Sequence, residues 1–131
     1  NEAKEEQLIG KLSGFLNAYN SMQLKVSGVR TFGKRVIYLG VDAGLDLFDF
    51  QRELKSFCKR ELNLVDELSD RNFHPHMTIA FKDIKILQFQ NILHFVEEVN
   101  LKKDLEVRDL VLLKKLKGKW VVHRKLAFKN A

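Results

Sequence analysis

The segment "FHPHMTIAF", residues 73 to 81, holds the chain's only proline and two of its four histidines. No other stretch limits the fold as much. Proline lacks a backbone N–H and biases the residue before it towards an extended backbone. Pro75 therefore belongs at the start or the unpaired edge of a strand, not within a helix or a central strand. In a strand, successive side chains point to opposite faces. Phe73, Pro75, Met77, Ile79 and Phe81 would then form an apolar face packed on the core, and His74, His76, Thr78 and Ala80 the other face.

Helical and extended patterns alternate around this strand. Leu8, Ile9, Leu12, Phe15, Leu16 and Tyr19 predict a helix over about residues 3–19. Gly10 and Gly14 each cost that helix about 1 kcal/mol relative to alanine, so packing must hold it. Met22, Leu24 and Val26 alternate with polar residues, "SGVRTFGKR" reads as a turn, and "RVIYLGV" from Arg35 to Val41 reads as a buried strand, which together make a hairpin. A second helix carries Leu47, Phe50, Leu54, Phe57 and Cys58 on its stripe, with Asp46 and Asp49 in its first turn and Lys59 and Arg60 towards its end, as the helix dipole favours. The loop "NLVDELSDRN" leads to the His-Pro-His strand, and Ile86, Phe89, Leu93, Val96 and Val99 predict a third helix. Two strands, about residues 105–114 and 119–128, flank the turn "LKGK". The order α-β-β-α-β-α-β-β predicts an α+β fold with a largely antiparallel sheet backed by helices. With no repeat, linker or low-complexity tract, residues 1–131 are expected to form a single domain.

Composition narrows the class. With 45% hydrophobic and 31% charged residues and ten phenylalanines, the chain matches a globular protein and not a disordered one. No apolar run is long enough to cross a bilayer and no leader pattern opens the sequence, so a cytoplasmic setting away from membranes is expected. The opening "NEAKEEQLIG" has no initiator methionine, and missing upstream material is expected. Cys58 stands alone, which excludes an internal disulfide, and it lies on an apolar stripe where an inert core role is expected. The net charge is +6, and residues 71 to 131 hold 13 Lys and Arg against 6 Asp and Glu. An anionic partner fits that excess, although surface lysines also serve solubility.

His76 and Thr78 lie two positions apart on one strand face, where both can reach the same small ligand. Imidazole exchanges a proton near neutral pH and a hydroxyl can donate to a phosphoryl oxygen, so the pair suits phosphoester chemistry. A solvated strand face would also carry His and Thr, and spacing alone leaves both readings open.

The stretch from Arg71 and Asn72 through "FHPHMTIAF" resembles the His-x-Ser/Thr-hydrophobic signature of the two-histidine phosphoesterase superfamily. Within it, the likeness is to the 2'-5' RNA ligase-like branch, which includes RNA 2',3'-cyclic phosphodiesterases. "SGVRTFGKRVIYLGV" is similar to that branch's glycine-containing hairpin, and "LVLLKKLKGKWVVHRKLAF" to its closing pair of strands. The resemblance implies most of a two-lobed, pseudo-symmetric fold with one motif per lobe across a cleft. One histidine would activate the attacking water or hydroxyl, the other would protonate the leaving oxygen, and the hydroxyl residues would hold the phosphate. It implies no metal and no cofactor, and as substrate an RNA end or a small nucleotide. His76 and Thr78 match one motif as its catalytic pair. The other motif is absent: His94 lies in a helical pattern, and His123 is followed two places on by Lys125. In the family that motif would precede the opening helix, so the 131 residues are expected to carry an incomplete site unless a second subunit supplies the rest.

Five further residues are substrate-binding candidates. His74 shares the face of His76; as a metal-ligand pair the two lack a third ligand at recognisable spacing, so no metal is expected. Lys114 and Lys115 stand where the family often has Arg followed by Ser, within a run from Lys114 to Lys125 that has six basic residues and no acid. Arg30 and Phe32 could border a nucleotide, though a core place is the stronger expectation for Phe32. The competing function is a non-catalytic RNA- or nucleotide-binding module using the basic C-terminal hairpin.

Overall fold

Eleven residues, Met22–Phe32, run as one strand, β1, which turns through Gly33, Lys34 and Arg35 into an antiparallel partner, β2 (Val36–Ala43). The hairpin is longer than the sequence pattern predicts because "SGVRTF" stays extended. Gly28, at φ 75°, absorbs a register shift between Ser27 and Val29, so the segment read as a turn is a bulged strand. The computed structural model describes residues 2–64 and 72–129. The remaining elements are α1 (Glu2–Leu16), α2 (Leu45–Leu62), β3 (His76–Ala80), α3 (Ile86–Val99), β4 (Lys102–Val107), β5 (Asp109–Leu116) and β6 (Lys119–Ala127). The fold is α+β in the predicted order, with the strand expected over residues 105–114 divided at Arg108 into β4 and β5. The division has a plain cause: β4 lies beside β1 in a four-stranded sheet of order β3-β2-β1-β4, whereas β5 pairs with β6. Among the described residues no helix is long and apolar enough to cross a membrane.

The chain forms two compact units, one running from Gln23 to Leu105 and the other joining the residues up to Met22 with those from Glu106 onward. In the first, Val26, Leu39 and Val96 make a buried cluster flanked by Val29, Val41, Ile92 and Leu105, so α3 lies against the middle of the sheet. Each such side chain contributes about 1.5–3 kcal/mol by leaving water. Removing the one at the centre, Leu39→Ala, would cost about 2–5 kcal/mol. Both long helices of this unit end on an asparagine in the left-handed region, Asn63 at φ 55° and Asn100 at φ 49°, whose amides return to carbonyls of the last turn.

The strand β3 is an edge strand, and Pro75 stands at its entry, just before the first residue. Its apolar face does not become core: Met77, Ile79 and Phe81 are 41, 45 and 53% exposed. The buried cluster sits under the interior strands, and a register shift opposite Ile37 and Tyr38 interrupts the alternation, bringing Ala80 opposite Ile37. Cys58 is only partly buried on α2.

In the other unit α1 packs on β6, with Ile9, Leu12, Leu16, Leu126 and Phe128 buried. Charge supplements this apolar contact. Glu5 on α1 accepts from Lys114 at 2.6 Å and lies 3.6 Å from His123 Nε2, and Glu6 accepts from Arg124 at 3.0 Å. His123 and Arg124 are sequence neighbours that both reach α1, because the β5–β6 register shifts between the pairs Leu112 with Arg124 and Leu113 with Val122.

Candidate active site

Strand register assembles the site within the Gln23 to Leu105 unit. Gly40 stands opposite His76, and Tyr38 stands opposite both Thr78 on one side and Arg30 on the other. Antiparallel partners present their side chains to the same face of a sheet. Arg30, Tyr38, Gly40, His76 and Thr78 therefore share a face. Phe32 stacks on Tyr38 with ring centroids 4.3 Å apart. Tyr38 in turn meets His74 and His76 edge-on at 5.9 and 5.6 Å, giving the imidazoles an aromatic floor.

The orientation of His76 follows from its backbone. Its Nδ1 donates to the carbonyl oxygen of His74 at 2.7 Å. A carbonyl can only accept, so this bond puts the proton on Nδ1 and leaves Nε2 of the neutral ring with its lone pair open. His74 points its own Nε2 at the Tyr38 hydroxyl over a long 3.5 Å. Thr78 is exposed, and its hydroxyl has no partner among the described residues. Two residues along a strand lie about 7 Å apart, so a single small anion can touch both side chains.

Gly40 makes room for the cation. A β-carbon there would lie 3.0 Å from the Ser27 carbonyl oxygen and 3.2 Å from both Nε and Cζ of Arg30. The bare backbone thus lets the guanidinium lie against the residue opposite His76. Among the described residues no carboxylate pairs with Arg30, so its fork of donors remains available.

His76, Thr78, His74, Arg30 and Phe32 thus come together. Phe32 is 46% exposed and borders the histidines, which corrects its expected core placement. Lys114 and Lys115 belong to the other unit. There Lys114 is held by Glu5, and Lys115 lies over the Trp120 ring at 5.7 Å. His94, on α3, pairs with Glu98 at 2.9 Å. Arg71 and the loop residues 65–70 lie outside the described residues. Sequence reading missed Tyr38 and Gly40. A glycine inside the strand "RVIYLGV" was a usable sign of close approach, whereas nothing short of the register assigns Tyr38 to the histidine face.

A family model described as the 2'-5' RNA ligase superfamily matches residues 1–119. No curated protein matches the chain. The chain belongs to the 2'-5' RNA ligase superfamily, and that membership points to a phosphoesterase or ligase-like activity.

Proposed function

We propose that the protein is an RNA-processing phosphoesterase acting on a 2',3'-cyclic phosphate or a 2'-5' linkage by metal-independent acid–base catalysis, with His76 and Thr78 as one half of its site. The supporting observation is the Nδ1 bond of His76 to the His74 carbonyl on an open face shared with Thr78 and Arg30. In hydrolysis, water adds to phosphorus and the bond from phosphorus to the 3'-oxygen breaks, leaving a 2'-phosphate and a 3'-hydroxyl. Nε2 of His76 takes the proton of the attacking water or, when protonated, gives one to the departing oxygen. Thr78 donates to one non-bridging oxygen, and the Arg30 fork holds the growing charge. A 5'-hydroxyl in place of water turns the same displacement into formation of a 2'-5' linkage.

One imidazole serves one side of an in-line displacement, so a second proton-transfer group must act across the phosphorus. The sequence has one His-x-Thr, so that group is a different kind of residue or belongs to another polypeptide segment or subunit. For the binding-module alternative, Lys114 and Arg124 of the hairpin are already paired with carboxylates, which leaves Lys117, Lys119 and Lys125 without a carboxylate partner among the described residues.

Hydrolysis of a 2',3'-cyclic mononucleotide in the presence of a chelator tests the proposal. His76→Ala should lower turnover by about 10²–10⁴-fold. His123→Ala should leave it unchanged, and a composite site would show turnover per subunit rising with concentration. Equal rates with and without His76, measured with the group that acts across the phosphorus supplied, would overturn it.

A further inference from the structure

An open groove of about 1050 Å³ runs between the β1–β2 turn and the segment joining β3 to α3. Its lining includes four cations, Lys34, Arg35, Lys82 and Lys85, and two aromatic rings, Phe32 and Phe81. Asp83 is the one acid in these two segments, and it is not part of the lining. Among the described residues none of the four cations is paired with a carboxylate. Lys82 rests over the Phe81 ring at 5.8 Å. It also holds a positive φ of 65° in a turn closed by the Asp83 amide on the Phe81 carbonyl, a conformation that a non-glycine residue adopts at some cost. Ile86 and Leu87 add an apolar border that is open to water, 74 and 92% exposed. The first turn of α3 also faces the groove without a side-chain cap or an acidic residue.

Position links the groove to the chemistry. Phe32 lines one end, and the same ring lies 5.8–5.9 Å from the two imidazoles. Unpaired cations interleaved with exposed rings are what a single strand requires, because phosphates seek the charge and unstacked bases seek a flat apolar surface. A charge-only partner such as an acidic peptide would gain nothing from Phe81, Ile86 and Leu87. We infer that this groove holds the single-stranded RNA chain adjoining the phosphate that reacts at His76, so the substrate is an oligonucleotide end and not a free mononucleotide. The inference rests on the phosphoesterase reading for the identity of the reacting end, whereas RNA binding in the groove can be measured without it.

The test uses a fluorescently labelled single-stranded hexaribonucleotide with a 2',3'-cyclic terminus, the same hexamer with a 3'-hydroxyl, and a 2',3'-cyclic mononucleotide. All four cations lie in exposed turns or at a helix start, so the variants Lys34→Ala with Arg35→Ala, and Lys82→Ala with Lys85→Ala, should fold; circular dichroism checks this. Each double variant should weaken binding of both hexamers, and the slope of log K against log salt should become shallower by about 0.7 for every phosphate that the variant no longer neutralises. Phe81→Ala should weaken hexamer binding about tenfold. Mononucleotide turnover should not change in any of them. Unchanged hexamer affinity and slope, or equal losses for hexamer and mononucleotide, would overturn the groove assignment. So would matched affinity for a polyglutamate of equal charge. Groove-dependent hexamer binding together with turnover that is equal in the wild type and in His76→Ala would keep the groove as an RNA site while sinking the catalytic reading.

Discussion

Both units of this protein carry a histidine among basic residues, yet they use their charge in opposite ways. In the α1–hairpin unit, Glu5 and Glu6 engage Lys114, His123 and Arg124, and the charge serves to join a helix to a hairpin. In the sheet unit, Arg30, Lys34, Arg35, Lys82 and Lys85 have no carboxylate partner among the described residues, and two of the histidines stand on an exposed face beside them. A count of lysines and arginines favours the C-terminal hairpin, but two of its six basic residues from Lys114 to Lys125 are committed to carboxylates, whereas the five cations beside the histidines are not. The distinction matters because a paired cation must first give up its partner before it can meet a phosphate.

Four experiments would break or sharpen this contrast. The largest expected effect is on turnover: Arg30→Ala should lower kcat for a cyclic phosphate about a hundredfold, as loss of a charge-stabilising donor does, whereas Arg124→Ala should leave kcat alone. Equal effects would erase the division between working and structural cations. Next comes Gly40→Val, whose branched side chain must push aside Arg30 and crowd the Ser27 carbonyl. A urea melt should show a loss of about 1–3 kcal/mol, with turnover falling alongside. The converse change, Glu5→Gln with Glu6→Gln, should release Lys114 and Arg124. RNA binding should then steepen in its salt dependence by about 0.7 per newly engaged phosphate, and no steepening would mean the hairpin cannot reach RNA even when freed.

The smallest effect is a pH dependence. The hydrogen bond from Lys114 holds the Glu5 carboxyl below the ordinary carboxylate range, with the charges of Lys114 and His123 acting in the same direction and partial desolvation opposing them. Because the folded-state value is depressed, its contribution is fully present above the ordinary carboxylate range and is lost as pH falls through the folded value. Melting temperature should therefore decline in that acid window, and less so in Glu5→Gln. Glu106 adds to the same window, held down first by the Ser21 hydroxyl and then by Arg108.

Much of this architecture was legible because it rests on local rules. Pro75 marked the entry of a strand, the spacing from Ile86 to Val99 matched α3 end for end, and His76 with Thr78 fell on one face as strand geometry requires. What was hidden depends on pairing between distant segments. Whether "SGVRTF" turns or continues is decided by the bulge at Gly28, which only the partner strand reveals. The exposure of Met77 and Ile79 follows from an edge position that alternation does not encode. Lys114 stood as a binding candidate because its partner Glu5 lies 109 residues away in sequence. The groove cations were present in "GKR" and "KDIK", but only the fold brings those segments side by side.

The carbonyl that aligns the His76 imidazole belongs to a residue just two places earlier. Guide and guided group therefore travel on one short peptide, and no distant carboxylate has to be recruited to set the ring. The ring is thus set wherever this three-residue peptide keeps its backbone conformation, and its aim is a property of the segment before it is a property of the sheet.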